Sequence, residues 1–144
     1  MSPHVAASRQ AGADIHFVVG IDHHSTTIEA LREILALGTD AKIMKNPRPG
    51  HTFHPKIYLF EATGQRAELL LGSSNLTEGG IFTNYEAVAR FAFDLTGQDT
   101  IPYQSFRASL DRFLNPTGPT VQYLTEDLIQ VLIDRGDIVS EVTK

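Results

Sequence analysis

The hydrophobic pattern of the first third of the chain predicts a strand, a helix and a second strand. Residues 16–22 form a short apolar run with β-branched side chains, which is typical of a buried strand. Apolar residues then recur at helical spacing after Thr26, which we expect to form a capping box with Glu29. Gly38 is expected to end this helix, and residues 41–46 are predicted as the second strand. Lengths of this kind indicate a parallel crossover unit.

The rest of the chain predicts three more strands and two more helices. We expect a turn around Gly64 to join strands at about 53–61 and 67–72. Both strands carry apolar residues at even and odd positions, so both faces of each are expected to be covered. Further along, the pattern predicts a polar loop at 73–85, a strand at 86–94, a loop through Pro102, and helices at 103–114 and 125–135. The predicted fold is α/β, a mixed β-sheet flanked by helices.

Composition limits the class of protein. The chain has 144 residues, 42% hydrophobic and 20% charged, as expected for one globular, soluble domain. We expect residues 1–15 to be a flexible lead-in and residues 16–144 to form a single domain that ends in helices. The chain has no cysteine, which excludes disulfides and thiolate metal sites. No apolar run approaches the roughly 20 residues of a membrane span, so we expect a cytoplasmic protein with no membrane contact.

Residues suited to phosphate chemistry are concentrated between positions 53 and 86. His54 and Lys56 are two residues apart in a predicted strand, so their side chains are expected on the same face. Asn75 follows in a Gly-Ser-Ser-Asn turn, and Glu86 comes eleven residues after it. A nucleophile, a cation, an amide and an orienting carboxylate are the groups that covalent cleavage of a phosphodiester by histidine needs.

This arrangement resembles the phospholipase D superfamily. The motif of that family is His-x-Lys, four residues, an Asp, about ten residues, Gly-Ser-x-Asn and later a Glu. The matching positions here are His54, Lys56, Glu61, Gly72, Ser73, Asn75 and Glu86. The sequence Phe-His-x-Lys-Ile-Tyr with Gly-Ser-Ser-Asn-Leu-Thr is most similar to the nuclease and restriction-endonuclease branch, over about residues 17–93. The chain departs from the motif at Glu61, where the family has an Asp that is usually structural.

The resemblance implies a role for each matching residue. His54 would attack the phosphorus and form a phosphohistidine that water then cleaves. Lys56, Asn75 and Ser73 would hold the phosphate oxygens through a positive charge and hydrogen-bond donors. Glu86 would accept a hydrogen bond from the second ring nitrogen of His54 and fix its orientation.

Glu61 and Gly72 are expected to support the site, and no metal or other cofactor is expected. The weaker alternative is a zinc site formed by Asp22, His23, His24, His51 and His54. Adjacent histidines on an extended segment point in opposite directions, so they are more readily understood as loop residues near the cleft.

The motif occurs once, which has a consequence for assembly. One histidine cannot be both the nucleophile and the acid that protonates the leaving oxygen in the first step. No other histidine has a lysine two residues later. Members of the resembled family with one motif form two-fold dimers, so the resemblance implies a homodimer in which His54 of both chains face each other.

Charge is distributed unevenly along the chain. The net charge of −5 argues mildly against a protein that binds nucleic acid over its whole surface. Residues 41–60, however, contain no carboxylate and include Lys42, Lys45, Arg48 and Lys56. Such a basic stretch fits a phosphate-rich partner, although an ordinary solvated loop can have the same composition.

Together these features predict a metal-independent nuclease, most readily one acting on DNA, with a covalent phosphohistidine and a site shared across a homodimer. One alternative is a non-catalytic or N-terminally truncated DNA-binding module of a larger system, because the family's domain has a further strand and helix before residue 16. Phospholipid cleavage is another alternative, which the lack of an amphipathic helix with a basic face disfavours. Sequence specificity would come from a separate domain or a partner chain.

Overall fold

The computed structural model describes residues 3–46, 48, 50–77 and 79–143. Its helices and strands are, in chain order, α1 (Pro3–Gln10), β1 (His16–Gly20), α2 (Ile28–Ala36), β2 (Asp40–Met44), β3 (Ile57–Ala62), β4 (Arg66–Gly72), β5 (Val88–Asp94), α3 (Thr100–Leu114), β6 (Val121–Tyr123) and α4 (Glu126–Asp134). The predicted α/β class is confirmed. The chain divides into a terminal unit, Met1–His54 with Asn115–Lys144, and a central unit, Pro55–Leu114.

The strands form two three-stranded sheets, and the prediction of one mixed sheet was wrong. In the terminal unit the order is β1-β2-β6, and in the central unit it is β3-β4-β5. Both edges of β2 are occupied. β1 pairs with one edge and β6, from the far end of the chain, pairs with the other, so β3 cannot pair with β2. Whether residues 16–144 fold as one domain stays a prediction.

The terminal unit contains the predicted crossover. β1 and β2 pair in parallel through α2, and β6 pairs antiparallel with β2. One hydrophobic core joins the sheet to the helices, and its buried members are Ile21, Leu31, Ile34, Ala41, Ile43, Leu124, Leu128, Ile129, Leu132 and Ile138. Burial of apolar side chains on this scale is the main force that holds such a unit together.

The start of α2 differs from the expected capping box. The N-cap is Thr27, whose side chain accepts a hydrogen bond from the amide three residues on, at 3.3 Å. Thr26 instead donates its hydroxyl to the carbonyl of Gly20 at 2.8 Å. Glu29 accepts hydrogen bonds from residues 140–141, and these lower the pKa of its carboxyl. The cap is therefore one residue later than predicted, because tertiary contacts engage the two predicted partners.

The central unit is an antiparallel sheet with α3 on one face. Gly64, with φ of +67°, turns the chain between β3 and β4 as predicted. On the face toward α3, the ring of Phe91 lies 5.4 Å from that of Phe106, and Phe93 lies 5.1 Å from Tyr103, between centroids. The expectation of two covered faces was wrong for β3, where Phe60 is 61% exposed.

Two elements begin at residues other than those predicted, and proline explains both differences. β3 begins at Ile57 and not at residue 53, since Pro55 has no N–H to contribute to a strand ladder. His54 and Lys56 thus precede the strand, and the argument that they share a strand face does not apply. α3 begins at Thr100, three residues earlier than predicted, because Pro102 lies in the first turn, where no N–H partner is needed.

Two elements were not predicted. β6 has only three residues and is identified by its pairing with β2. α1 lies within the predicted lead-in and buries none of its residues, so the flexibility of residues 1–15 stays a prediction, and residues 1–2 lie outside the described part. The later helix α4 begins after the N-cap Thr125 and ends before Gly136, close to the predicted bounds. Among the described residues, no helix has the length and apolar character needed to cross a bilayer.

Candidate active site

Several of the predicted site residues meet at one end of the central sheet. Antiparallel pairing puts the start of β3, the end of β4 and the start of β5 at the same end. Lys56 directly precedes β3, and its carbonyl accepts a hydrogen bond from the amide of Gly72, the last residue of β4, at 3.3 Å. Glu86 lies two residues before β5. We call this end of the sheet, with residues 72–87, the Ser73 loop end.

Ser73 forms the central link of the Ser73 loop end. Its hydroxyl donates to a carboxylate oxygen of Glu86 and accepts a hydrogen bond from the amide of Ala87 at 3.1 Å. Its own amide donates to the carbonyl of Ala87, also at 3.1 Å. Gly72 allows this approach, because a Cβ there would lie 2.2 Å from the Ala87 carbonyl oxygen. The glycine of the predicted motif is thus required by close packing of two backbones.

Glu86 is half-buried, and each of its two carboxylate oxygens accepts a hydrogen bond. Besides the bond from Ser73, its other oxygen accepts from the side-chain amide of Asn84 at 3.4 Å. Burial raises the pKa of the nearby Tyr58, and the negative charge of Glu86 raises it further. Asn84 and Tyr58 were not singled out from the sequence, and only their spacing from Glu86 and Lys56 could have suggested them. The predicted contact of Glu86 with His54 stays a prediction.

Two hydrogen bonds and a close backbone contact hold the turn that carries Asn75. The hydroxyl of Tyr58 donates to the carbonyl of Ser74 at 2.8 Å, and the Ser74 hydroxyl donates to the carbonyl of Gly80. Gly80 packs against the backbone of Asn75, where a Cβ would lie 2.5 Å from the Asn75 carbonyl oxygen. The predicted polar loop therefore contains one wide helical turn, Gly79–Thr83, and presents an exposed Asn75 side chain.

Glu61 lies away from the Ser73 loop end, at the other end of β3. It accepts a hydrogen bond from the hydroxyl of Tyr103 and lies 3.6 Å from the guanidinium of Arg107, both on α3. Burial, followed by the hydrogen bond to Glu61, raises the pKa of Tyr103 well above its ordinary value. Glu61 thus ties the sheet to α3, and its support of the proposed site stays a prediction.

The segment before His54 is anchored inside the terminal unit. The buried carboxylate of Asp22 accepts the amide of Phe53 at 2.8 Å and the amide of Asn46 at 2.9 Å. Gly20 allows the carbonyl oxygen of Phe53 to come close, since a Cβ there would lie 2.3 Å from it. His54 follows directly and is exposed. Asp22 was considered from the sequence only as a metal ligand, although an acid directly after a buried strand could have indicated this role.

The three basic residues expected to contact nucleic acid have different surroundings. The ammonium of Lys42 donates to the Asn115 side chain at 2.6 Å and to the Pro116 carbonyl at 3.3 Å, so it joins β2 to this segment. Lys45 forms an ion pair with Asp137. Arg48 is exposed. A role of these residues in nucleic-acid binding stays a prediction.

No family model matches the chain, and no curated protein matches it. Among the described residues, no group of three or more His, Cys, Asp or Glu side chains could hold a metal ion. The Ser73 loop end itself offers the exposed side-chain amide of Asn75 and the oriented carboxylate of Glu86, and the backbone of Lys56 lies at the same end.

Proposed function

We propose that the protein is a phosphodiesterase of the phospholipase D type that cleaves nucleic acid through a phosphohistidine on His54. DNA is the substrate that we propose before RNA. The observation that carries the proposal is the Ser73 loop end, where the backbone of Lys56, the turn that carries Asn75 and the carboxylate of Glu86 lie at the same end of one antiparallel sheet. An ammonium and an amide suit the non-bridging oxygens of a phosphate, because both donate hydrogen bonds to developing negative charge.

The first step forms a bond between a ring nitrogen of His54 and phosphorus and breaks the bond from phosphorus to the leaving oxygen. A second acid gives that oxygen its proton. Water then attacks the phosphohistidine, transfers a proton to the group that acted as acid, and releases His54. Lys56 and Asn75 would hold the non-bridging oxygens throughout.

Glu86 can still take its proposed role beside its two partners. Each carboxylate oxygen has two lone pairs, so acceptance of one bond from Ser73 and one from Asn84 leaves capacity for the ring N–H of His54. Both donors of Ser73, its hydroxyl and its amide, are engaged with Glu86 and Ala87. We therefore assign Ser73 to the orientation of Glu86 in place of the phosphate contact expected from the sequence.

The purified chain should cleave nucleic acid or bis(p-nitrophenyl) phosphate in excess EDTA at the same rate as without it. The reason is that the nucleophile is a histidine and the phosphate ligands are side chains. The measurement is initial rate on single- and double-stranded DNA, RNA and the small diester, each with EDTA and with added Mg²⁺ or Zn²⁺.

Loss of activity in EDTA, with recovery on metal addition, would contradict the proposed mechanism. Tight binding of DNA without cleavage of any substrate would favour the non-catalytic module. Cleavage of phosphatidylcholine vesicles but not of nucleic acid would favour the phospholipid alternative.

The second acid is proposed to be His54 of a second copy of the chain. A dimer with a shared site should lose activity when wild-type protein exchanges subunits with His54→Ala protein. With a roughly nine-fold excess of the variant, only about one wild-type chain in ten finds a wild-type partner, so activity per wild-type chain should fall about tenfold. Light scattering should give a mass near twice 15.9 kDa.

The matched control is His4→Ala, since His4 lies in α1, which buries none of its residues. An equal excess of this variant should add activity in proportion to its concentration. An active monomer, or constant activity per wild-type chain in the mixture with His54→Ala, would show that each chain holds an independent site.

A further inference from the structure

A pocket of about 300 Å³ lies at the carboxyl ends of β1 and β2 in the terminal unit. The segments that follow the two parallel strands form its walls, with His23 and His24 on one and Lys45, Arg48 and His51 on the other. The carboxyl ends of parallel strands are where α/β proteins commonly bind ligands. All residues that line it belong to the terminal unit, and His54 of the same unit is not among them.

The two histidines of the first wall have unusual backbone geometry. His23 and His24 both have positive φ, at 55° and 53°. A residue that is not glycine is uncommon in this region, and such conformations cost on the order of 1–3 kcal/mol each. The tight turn is closed by a hydrogen bond from the amide of Ser25 to the carbonyl of Asp22 at 3.2 Å. It brings both histidines to the same pocket, whereas an extended segment would have separated them.

Each of the two carboxylates of the pocket has at least one partner within the protein. Asp22 accepts two backbone amides, from Asn46 and Phe53, so its negative charge is compensated by the fold. Asp137 forms an ion pair with Lys45 through one oxygen. Its other oxygen is buried and has no hydrogen-bond partner among the described residues, so a ligand in the pocket does not reach it. An ammonium has three N–H donors, so Lys45 can serve a ligand as well as Asp137.

The remaining groups favour an oxyanion. Arg48 carries a permanent positive charge with a planar set of donors that matches phosphate oxygens. Each histidine ring donates at least one N–H and, when protonated, two. A wall of ammonium, guanidinium and imidazole groups is suited to a compact anion with several acceptor oxygens.

We propose that this pocket binds a phosphate group of a nucleic-acid strand, other than the phosphate that His54 attacks. The assignment to a strand rests on the proposed function, whereas the assignment to phosphate rests on the pocket alone. Such a contact would fix the register of the strand and would add to the salt dependence of binding.

The first test uses inorganic phosphate and the 144-residue chain. Phosphate should shift the ring proton resonances of His23 and His24 in a saturable way. The resonances of His16, which contacts Asp14 and Asp40 outside the pocket, should move little. Sodium chloride at matched ionic strength is the control for general screening. Equal shifts of all histidines, or none, would overturn the pocket as a phosphate site.

The second test distinguishes a strand phosphate from free phosphate. Binding of a 5′-labelled oligodeoxynucleotide is measured against salt in the His54→Ala background, which prevents turnover. Loss of one phosphate contact should lower the slope of log Kd against log salt by about 1. Arg48→Gln should show this decrease. Arg32→Gln removes the same charge from an exposed pair with Glu126 outside the pocket and should leave the slope unchanged.

The outcomes separate the two proposals. An unchanged slope in Arg48→Gln, together with specific shifts by inorganic phosphate, would overturn the strand assignment and leave a site for free phosphate. A decreased slope in Arg48→Gln, together with a wild-type protein that cleaves no substrate, would support the pocket and contradict the proposed catalysis. Equal decreases in Arg48→Gln and Arg32→Gln would mean that only general charge matters, which also overturns the proposal.

Discussion

Replacement of His54 by alanine is expected to abolish turnover and to leave the fold intact. The proposed reaction passes through a covalent bond to this ring, so no remaining group can replace it. Other covalent catalysts lose about 10⁶-fold in kcat when the nucleophile is removed. The side chain is exposed, so its loss should cost little packing and the melting temperature should stay near that of the wild type. Rates are measured with a diester substrate in EDTA.

The control for this prediction is again His4→Ala, an equivalent truncation in α1, which should keep full activity. A second check is the intact mass of the protein after alkaline quenching during turnover, since a phosphohistidine would add the mass of the attached product in the wild type alone. Activity that persists in His54→Ala would remove His54 from the mechanism. A large fall in melting temperature would indicate a structural role instead.

The sequence predicted the parts of the fold that depend on neighbouring residues. The β1-α2-β2 crossover and the hairpin at Gly64 each arise from short connections and from local hydrophobic periodicity. The choice of partner for β2 was not predictable in this way. β6 is three residues long and lies more than 70 residues after β2 in the sequence. No local pattern therefore predicts that it will pair with the second edge of β2.

The same distinction applies to the Ser73 loop end. Antiparallel pairing of three predicted strands is enough to bring Lys56, Gly72 and the segment before β5 to one end of a sheet. The particular bond between Ser73 and Glu86 depends on how closely the backbones approach at Gly72, which sequence spacing does not reveal. We therefore assign the hydroxyl of Ser73 to Glu86 and not to the phosphate.

The His23-His24 pair shows how backbone geometry can overturn an argument from side-chain alternation. Two adjacent residues face opposite sides only if the segment is extended. Both residues have positive φ, and both line the pocket at the ends of β1 and β2. Because L-residues other than glycine rarely adopt this conformation, no sequence rule would have predicted it for two histidines.

Replacement of Asp22 by alanine is expected to destabilise the protein by about 2–4 kcal/mol, because it leaves the amides of Asn46 and Phe53 without their acceptor. Asp22 is only 7% exposed, so water cannot readily take the place of the carboxylate. A loss of this size is a large part of the 5–15 kcal/mol that typically stabilises a domain. The measurement is the urea midpoint of unfolding, followed by circular dichroism.

Two further variants make this prediction specific. Asp22→Asn keeps the shape but offers one acceptor oxygen and an NH₂ group that faces the second amide, so it should also be clearly less stable than the wild type. Asp14→Ala removes a carboxylate that is 83% exposed in the same unit and should shift the midpoint very little. Because Asp22 anchors the residue before His54, the folded fraction of Asp22→Asn should also cleave the diester more slowly. Wild-type stability in Asp22→Ala would show that the two amides find other acceptors. A wild-type rate in folded Asp22→Asn would show that this anchor does not position His54.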